Sequence, residues 1–81
     1  MNNTVATKTI AAFSINFGDW YYEGQLVDIV DSNAGILRGA LIKSINDENN
    51  TFIVSAGGRE YNLKMAKIKE ISLINRRKLA V

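Results

Sequence analysis

Cysteine, histidine and proline are all missing from the 81 residues. Without thiolates or imidazoles the chain cannot assemble a structural zinc site, a cysteine nucleophile, a Ser/His/Asp triad or an imidazole acid/base. Most common catalytic chemistry is therefore out of reach, carboxylate or tyrosine chemistry is a minor possibility and no convergent acidic pair stands out, so the expectation is a non-enzymatic protein with no cofactor. Long apolar runs are absent as well. The longest falls far short of the roughly 20 residues that a membrane helix needs. Met1 to Thr9 carries Lys8 as its single charge, and no apolar segment follows it as in a secretory signal, so a cytoplasmic location is expected.

What is present describes one soluble domain spanning residues 1–81. The sequence is 47% hydrophobic and 22% charged, too apolar for disorder. Ordering a chain of this length costs on the order of 120 kcal/mol, so nearly every apolar side chain is needed in a single core. Residues 1–8 are polar and small and are expected to fray; residues 75–81 are expected as a second flexible tail. The net charge of +2 conceals an asymmetry. Residues 1–58 hold three basic and six acidic side chains, whereas residues 59–81 hold seven basic and two acidic ones. The C-terminal quarter is the basic part.

Hydrophobic alternation predicts a mainly β protein. Lys8 to Phe17 reads as a strand through Phe13, Ile15 and Phe17, although Ile10, Phe13 and Phe17 also fit a helix face. Gly18 to Gly24 encloses Asp19, Trp20, Tyr21, Tyr22 and Glu23 and reads as an aromatic-rich loop. Gln25 to Asp31 alternates, and Ser32, Asn33, Ala34 and Gly35 supply a turn. Ile36 to Asn46 is a long strand whose interior Gly39 marks a bulge or sharp bend. Asp47 to Asn50 is a polar turn, Thr51 to Ala56 a further strand, Gly57-Gly58 a two-residue hairpin turn, and Arg59 to Lys64 the returning strand. Lys67 to Ile74 reads as a closing strand after a short turn at Lys64 to Ala66. A helical alternative stays open there, since Leu63 to Leu79 contains no breaker and Met65, Ile68 and Ile71 give a rough stripe. Short strands punctuated this often predict a small closed or nearly closed barrel of about five antiparallel strands with a variable N-terminal segment.

The segments Leu26 to Val30, Asn33 to Ile36, Arg38 to Ile42 with Ile45-Asn46-Asp47, and Phe52-Ile53-Val54 resemble the SH3-like and Sm-like small barrels. Within that class, Gly39 to Asn46, Glu60 to Leu63 and Ala66 to Ile71 look most like the YolD-like family of bacteria and their prophages, often encoded near DNA-damage polymerases. The resemblance covers residues 26–73 and implies a bacterial or phage accessory protein. Trp20 to Tyr22 and the basic tail lie outside it.

Two residue sets are candidates for contact with a partner. Lys64, Lys67, Lys69, Arg76, Arg77 and Lys78 can meet phosphates, with counterion release making such binding salt-dependent; the competing reading is a solvated basic face. Trp20, Tyr21 and Tyr22 can stack on bases or anchor a protein partner, or else cap the open end of the core. Asp31 to Gly35 begins like a calcium loop, but Gly35 and Ile42 stand where ligands are required, so these carboxylates, with Asp28, Asp47 and Glu48, are read as turn formers. Gly57-Gly58 lacks the spacing of a phosphate-cradling loop. The expectation is therefore a regulatory or accessory binding module whose partner is nucleic acid or protein, with self-association into a ring or dimer through strand edges as the alternative.

Overall fold

The structure is a computed structural model, and the residues it describes are 3–8 and 12–74. Among the described residues eight strands follow one another: β1 (Val5–Lys8), β2 (Ala12–Ile15), β3 (Trp20–Tyr22), β4 (Leu26–Asp31), β5 (Gly35–Asn46), β6 (Thr51–Ala56), β7 (Arg59–Lys64) and β8 (Ile68–Leu73), with a 3-10 turn at Met65–Lys67 between the last two. The protein is thus mainly β, as the alternation predicts. All strand pairings are antiparallel, in a three-stranded sheet ordered β1-β2-β3 and a five-stranded sheet ordered β7-β6-β5-β4-β8. Among the described residues no pairing closes either sheet into a barrel; β7 and β8 remain the outer strands of the larger one.

Alternation places Val27 and Ile29 of β4, Phe52 and Val54 of β6, and Leu63 of β7 in the core. β5 is too long to lie flat, and Gly39 bends it. Val27 pairs with Ala40 but Ile29 pairs with Leu37, so Asp28 alone faces Arg38 and Gly39. Gly39 has φ +64°, which a residue without Cβ adopts at little cost, and a glycine in that conformation is a recurring bulge device. Two further register shifts leave Lys43 unpaired in β5 and Lys69 unpaired in β8. The Gly57-Gly58 turn has φ +59° and +81°, joining β6 to β7 as the sequence predicts.

Phe13 fastens the two sheets together. Its ring centroid lies 4.7 Å from that of Phe52 and 5.7 Å from that of Tyr21, both pairs tilted, so β2 and β3 pack onto β6 through one continuous core.

Three expectations change. Val5 to Lys8 is a strand paired to β2, where the polar composition suggests a frayed terminus. Its backbone is held by β2, and its side chains alternate between half-buried and exposed. Trp20–Tyr22 is a strand, where two flanking glycines suggest a loop; three residues are too few to display alternation, and pairing with Ala12, Phe13 and Ser14 decides the matter. Phe17, expected in phase with Phe13 and Ile15, sits in the β2–β3 turn and is 87% exposed. The final described segment is a strand rather than a helix, as its β-branched residues favour.

Candidate functional site

Lys64, Lys67 and Lys69 belong to one short connection. Lys64 ends β7, Lys67 lies in the 3-10 turn and Lys69 is the unpaired residue of β8. Between them Met65 and Ile68 turn inward and are buried, which leaves the three lysines exposed. The connection is fixed from three sides. The Asn3 side-chain amide donates to the carbonyls of Met65 (3.1 Å) and Ile68 (2.7 Å). The Met65 N–H donates to the Asn50 carbonyl at 2.9 Å. The Ser32 N–H and hydroxyl both donate to the Lys67 carbonyl, at 3.1 and 2.8 Å. A shallow groove follows this connection, with Asn3, Ser32 and Asn33 facing Lys67 and Lys69. Lys64, Lys67 and Lys69 are thereby held on a rigid base. Arg76, Arg77 and Lys78 lie outside the described residues.

The aromatic trio is divided by the pleat. Tyr21 points into the core, 5% exposed, and its hydroxyl donates to the Ile71 carbonyl of β8 at 3.1 Å. Burial, and secondarily the negative charge of Asp19, raise its pKa above the usual tyrosine range. Tyr21 is therefore a core residue and is withdrawn from the predicted contact set. Trp20 and Tyr22 lie on the opposite face, directly across from Ser14 and Ala12, and are half-buried. Small residues beneath large neighbours explain why Ala12 and Ser14 are buried on what is otherwise the outer side of the sheet. The Lys8 ammonium stands 4.0 Å from the centre of the Trp20 ring, a cation–π contact.

Of the four carboxylates expected to form turns, Asp31 does so, whereas Asp28 lies within β4 and braces a bulge, and the turn after β5 is shaped by Asn46. Asp31 is buried, and its Oδ2 accepts from the N–H groups of Asn33 (2.9 Å) and Ala34 (2.8 Å). Its Oδ1 is buried without a protein partner. Asp28 accepts from Gly39, and Asn46 accepts from the N–H groups of Glu48 and Asn49 to shape the following turn. Among the described residues no group of three or more acidic, His or Cys side chains is placed to hold a metal ion, and no helix is long and apolar enough to cross a membrane.

One surface feature has only a faint signal in the sequence. Asn16 and Phe17 both have positive φ, +54° and +60°, in the turn closed by the Gly18 N–H donating to the Ile15 carbonyl at 3.0 Å. This φ pattern is normally served by Asn-Gly, and Phe is a costly occupant of the second position. Next to the turn runs a groove of about 430 Å³ between it and β8, lined by Ile15, Asp19, Tyr21 and Ile68 to Ile71 among others. The signal is Asn16-Phe17-Gly18 itself, which reads equally well as a strand end.

Comparison of the chain with protein-family models, with curated proteins and with solved structures finds no match.

Proposed function

We propose that the chain is a non-enzymatic accessory binding module that meets nucleic-acid phosphates through Lys64, Lys67 and Lys69 together with the following Arg76, Arg77 and Lys78. One observation carries this reading: three exposed lysines stand within six residues on a connection fixed by Asn3, Ser32 and Asn50. From residue 64 to residue 78 the chain has six basic side chains against the single acid Glu70. Ammonium and guanidinium groups so placed neutralise phosphates and release counterions. Tyr22 and the face of Trp20 not covered by Lys8, on the outer face of the three-stranded sheet, can add stacking to these contacts.

The scaffold in this proposal is an SH3-like barrel formed by β4 to β8. Its support is the strand order β7-β6-β5-β4-β8, the 3-10 turn leading into the last strand, and the bend of β5 at Gly39. The YolD-like resemblance of residues 26–73, with its bacterial or phage setting, belongs to the same proposal.

A shift assay on labelled single-stranded and duplex DNA, begun at about 50 mM salt, tests it. Affinity is expected to fall linearly on a log–log plot against salt. Lys64→Ala with Lys69→Ala should lower that slope by about one for each phosphate no longer neutralised, and Arg76→Ala with Arg77→Ala should weaken binding alike for every sequence. No binding at low salt, or binding indifferent to salt, overturns the reading.

A second reading, self-association, is favoured by a separate observation: Phe17 in the β2–β3 turn is 87% exposed.

A further inference from the structure

We infer that the outer edge of β7 pairs with β7 of a second copy of this chain, antiparallel, with Asn62 opposite Asn62 of its mate. This inference rests on the self-association reading and gives it a surface apart from Phe17.

The hairpin fixes which backbone groups face outward. Ala56 and Arg59 flank the two-residue Gly57-Gly58 turn, and in such a hairpin the flanking residues exchange both hydrogen bonds. Alternation from there turns the N–H and C=O groups of Arg59, Tyr61 and Leu63 towards β6. The Met65 N–H keeps the same phase, donating to the Asn50 carbonyl at 2.9 Å. The backbone groups of Glu60, Asn62 and Lys64 consequently point away from β6. β7 pairs with β6 alone, its register runs unbroken from Arg59 to Lys64, and among the described residues nothing else bonds to these outward groups.

An uncovered, regular strand edge is a template for a further strand. The other outer strand of the sheet is closed off. β8 has a register shift at its start, and its Ile68 and Ile71 carbonyls accept from the Asn3 amide (2.7 Å) and the Tyr21 hydroxyl (3.1 Å). Bulges and side-chain cover blunt an edge in this way, and β7 has neither.

Charge selects the occupant and the register. With Asn62 opposite its own copy, Glu60 of each chain stands opposite Lys64 of the other, on the exposed face of the sheet. Centring the pair on Glu60 or on Lys64 sets like charges face to face. Centring it on Tyr61 or Leu63 leaves neither charge opposite its counterpart. The Glu60 carboxylate also meets the Lys43 ammonium of its own sheet at 3.4 Å through Oε2, which leaves Oε1 for Lys64 of the mate. On the core side the same register puts the half-buried Tyr61 opposite Leu63, where side chains of facing strands come closest. The edge is thus self-complementary under a two-fold axis. One short strand buries little surface, so the dimer is expected to be weak and reversible. Pairing engages Lys64, so phosphates and a second copy compete for that side chain.

Light scattering with sedimentation velocity on the full chain, from about 1 to 500 μM, reads the association directly. The wild type is expected to convert from monomer to dimer across this range. Asn62→Pro removes an outward N–H that β6 does not use, and proline is tolerated on such an edge. It should raise the dimer dissociation constant at least about tenfold with an unchanged far-UV spectrum. Glu60→Lys and Lys64→Glu should each weaken self-association about two- to fivefold. An equimolar mixture of these two variants should form a heterodimer, because every facing pair is then of opposite charge. A dimer indifferent to Asn62→Pro and to both charge reversals, with no gain on mixing, overturns this edge while leaving self-association standing. A monomer throughout the range overturns both.

Discussion

The Asp28 carboxylate accepts a hydrogen bond from the Gly39 N–H at 2.9 Å, across the point where β5 carries two residues against one of β4. Bulging withdraws the Gly39 N–H from the ladder, and the side chain of the single residue opposite replaces the missing carbonyl. The bend of the longest strand thus depends on two residues eleven positions apart.

Substitution at either residue should loosen the same corner. A Cβ built on Gly39 meets nothing within 4 Å, so Gly39→Ala carries no steric clash and its cost is that of a side chain at φ +64°. Urea unfolding should show a loss of about 1 to 2 kcal/mol. Asp28→Ala should cost about 1 kcal/mol by removing the acceptor. The two changes should be non-additive, since each disturbs the same hydrogen bond; full additivity would show that Asp28 does not support the bulge.

Tyr21 predicts a dependence on alkaline pH. Its pKa is raised in the folded state, first by burial and then by Asp19, so the unfolded chain loses that proton at a lower pH than the folded one. Stability is fully present below the ordinary tyrosine value near 10 and declines as pH rises through the higher folded value. Urea midpoints measured from pH 8 upward should therefore drop more steeply for wild type than for Tyr21→Phe. At neutral pH the variant should be slightly less stable, because it lacks the bond to the Ile71 carbonyl.

Asn3 ties the start of the chain to the lysine-bearing connection through two carbonyls and reaches Asn16 with its side-chain oxygen. Asn3→Ala should destabilise the fold by about 1 to 2 kcal/mol. Hydrogen exchange should quicken in β1, in the Met65–Lys67 turn and at Asn16, while β5 and β6 keep their protection. Uniform quickening across all strands would contradict this local role.

Phe17→Gly should relieve backbone strain and stabilise the fold. A glycine tolerates φ +60°, so thermal unfolding of the dilute protein should show a gain of about 0.5 to 1 kcal/mol. A glycine variant that is less stable would indicate that the ring supports the fold from outside.

Much of the larger sheet is legible in the sequence because its signals are local. Gly39 inside an apolar alternation marks a bulge, Gly57-Gly58 marks a hairpin, and the β-branched residues Ile68 and Ile71 after a short turn favour a last strand over the helical alternative; each is visible within a dozen residues. The N-terminal sheet is much less so. Val5 to Lys8 is too polar, and Trp20 to Tyr22 too short, to announce a strand; each is one because β2 lies beside it. Within the candidate sites, a run rich in basic residues points to a solvent-facing segment, and Lys64, Lys67 and Lys69 are exposed. Nothing in the local pattern of Trp20 to Tyr22 tells which ring faces inward, and Tyr21 is the one that does.

The sequence by itself determined a cysteine-free, histidine-free β chain with basic residues gathered towards its C-terminal end, and where most of its turns fall. Tertiary structure alone decided that Tyr21 is buried while Phe17 is exposed, that Asp28 holds Gly39, and that Asn3 braces the segment bearing the lysines. The physical reason is range. Alternation and glycine conformation act between neighbours in the chain, whereas burial and side-chain hydrogen bonds depend on residues brought together from as far as 65 positions apart.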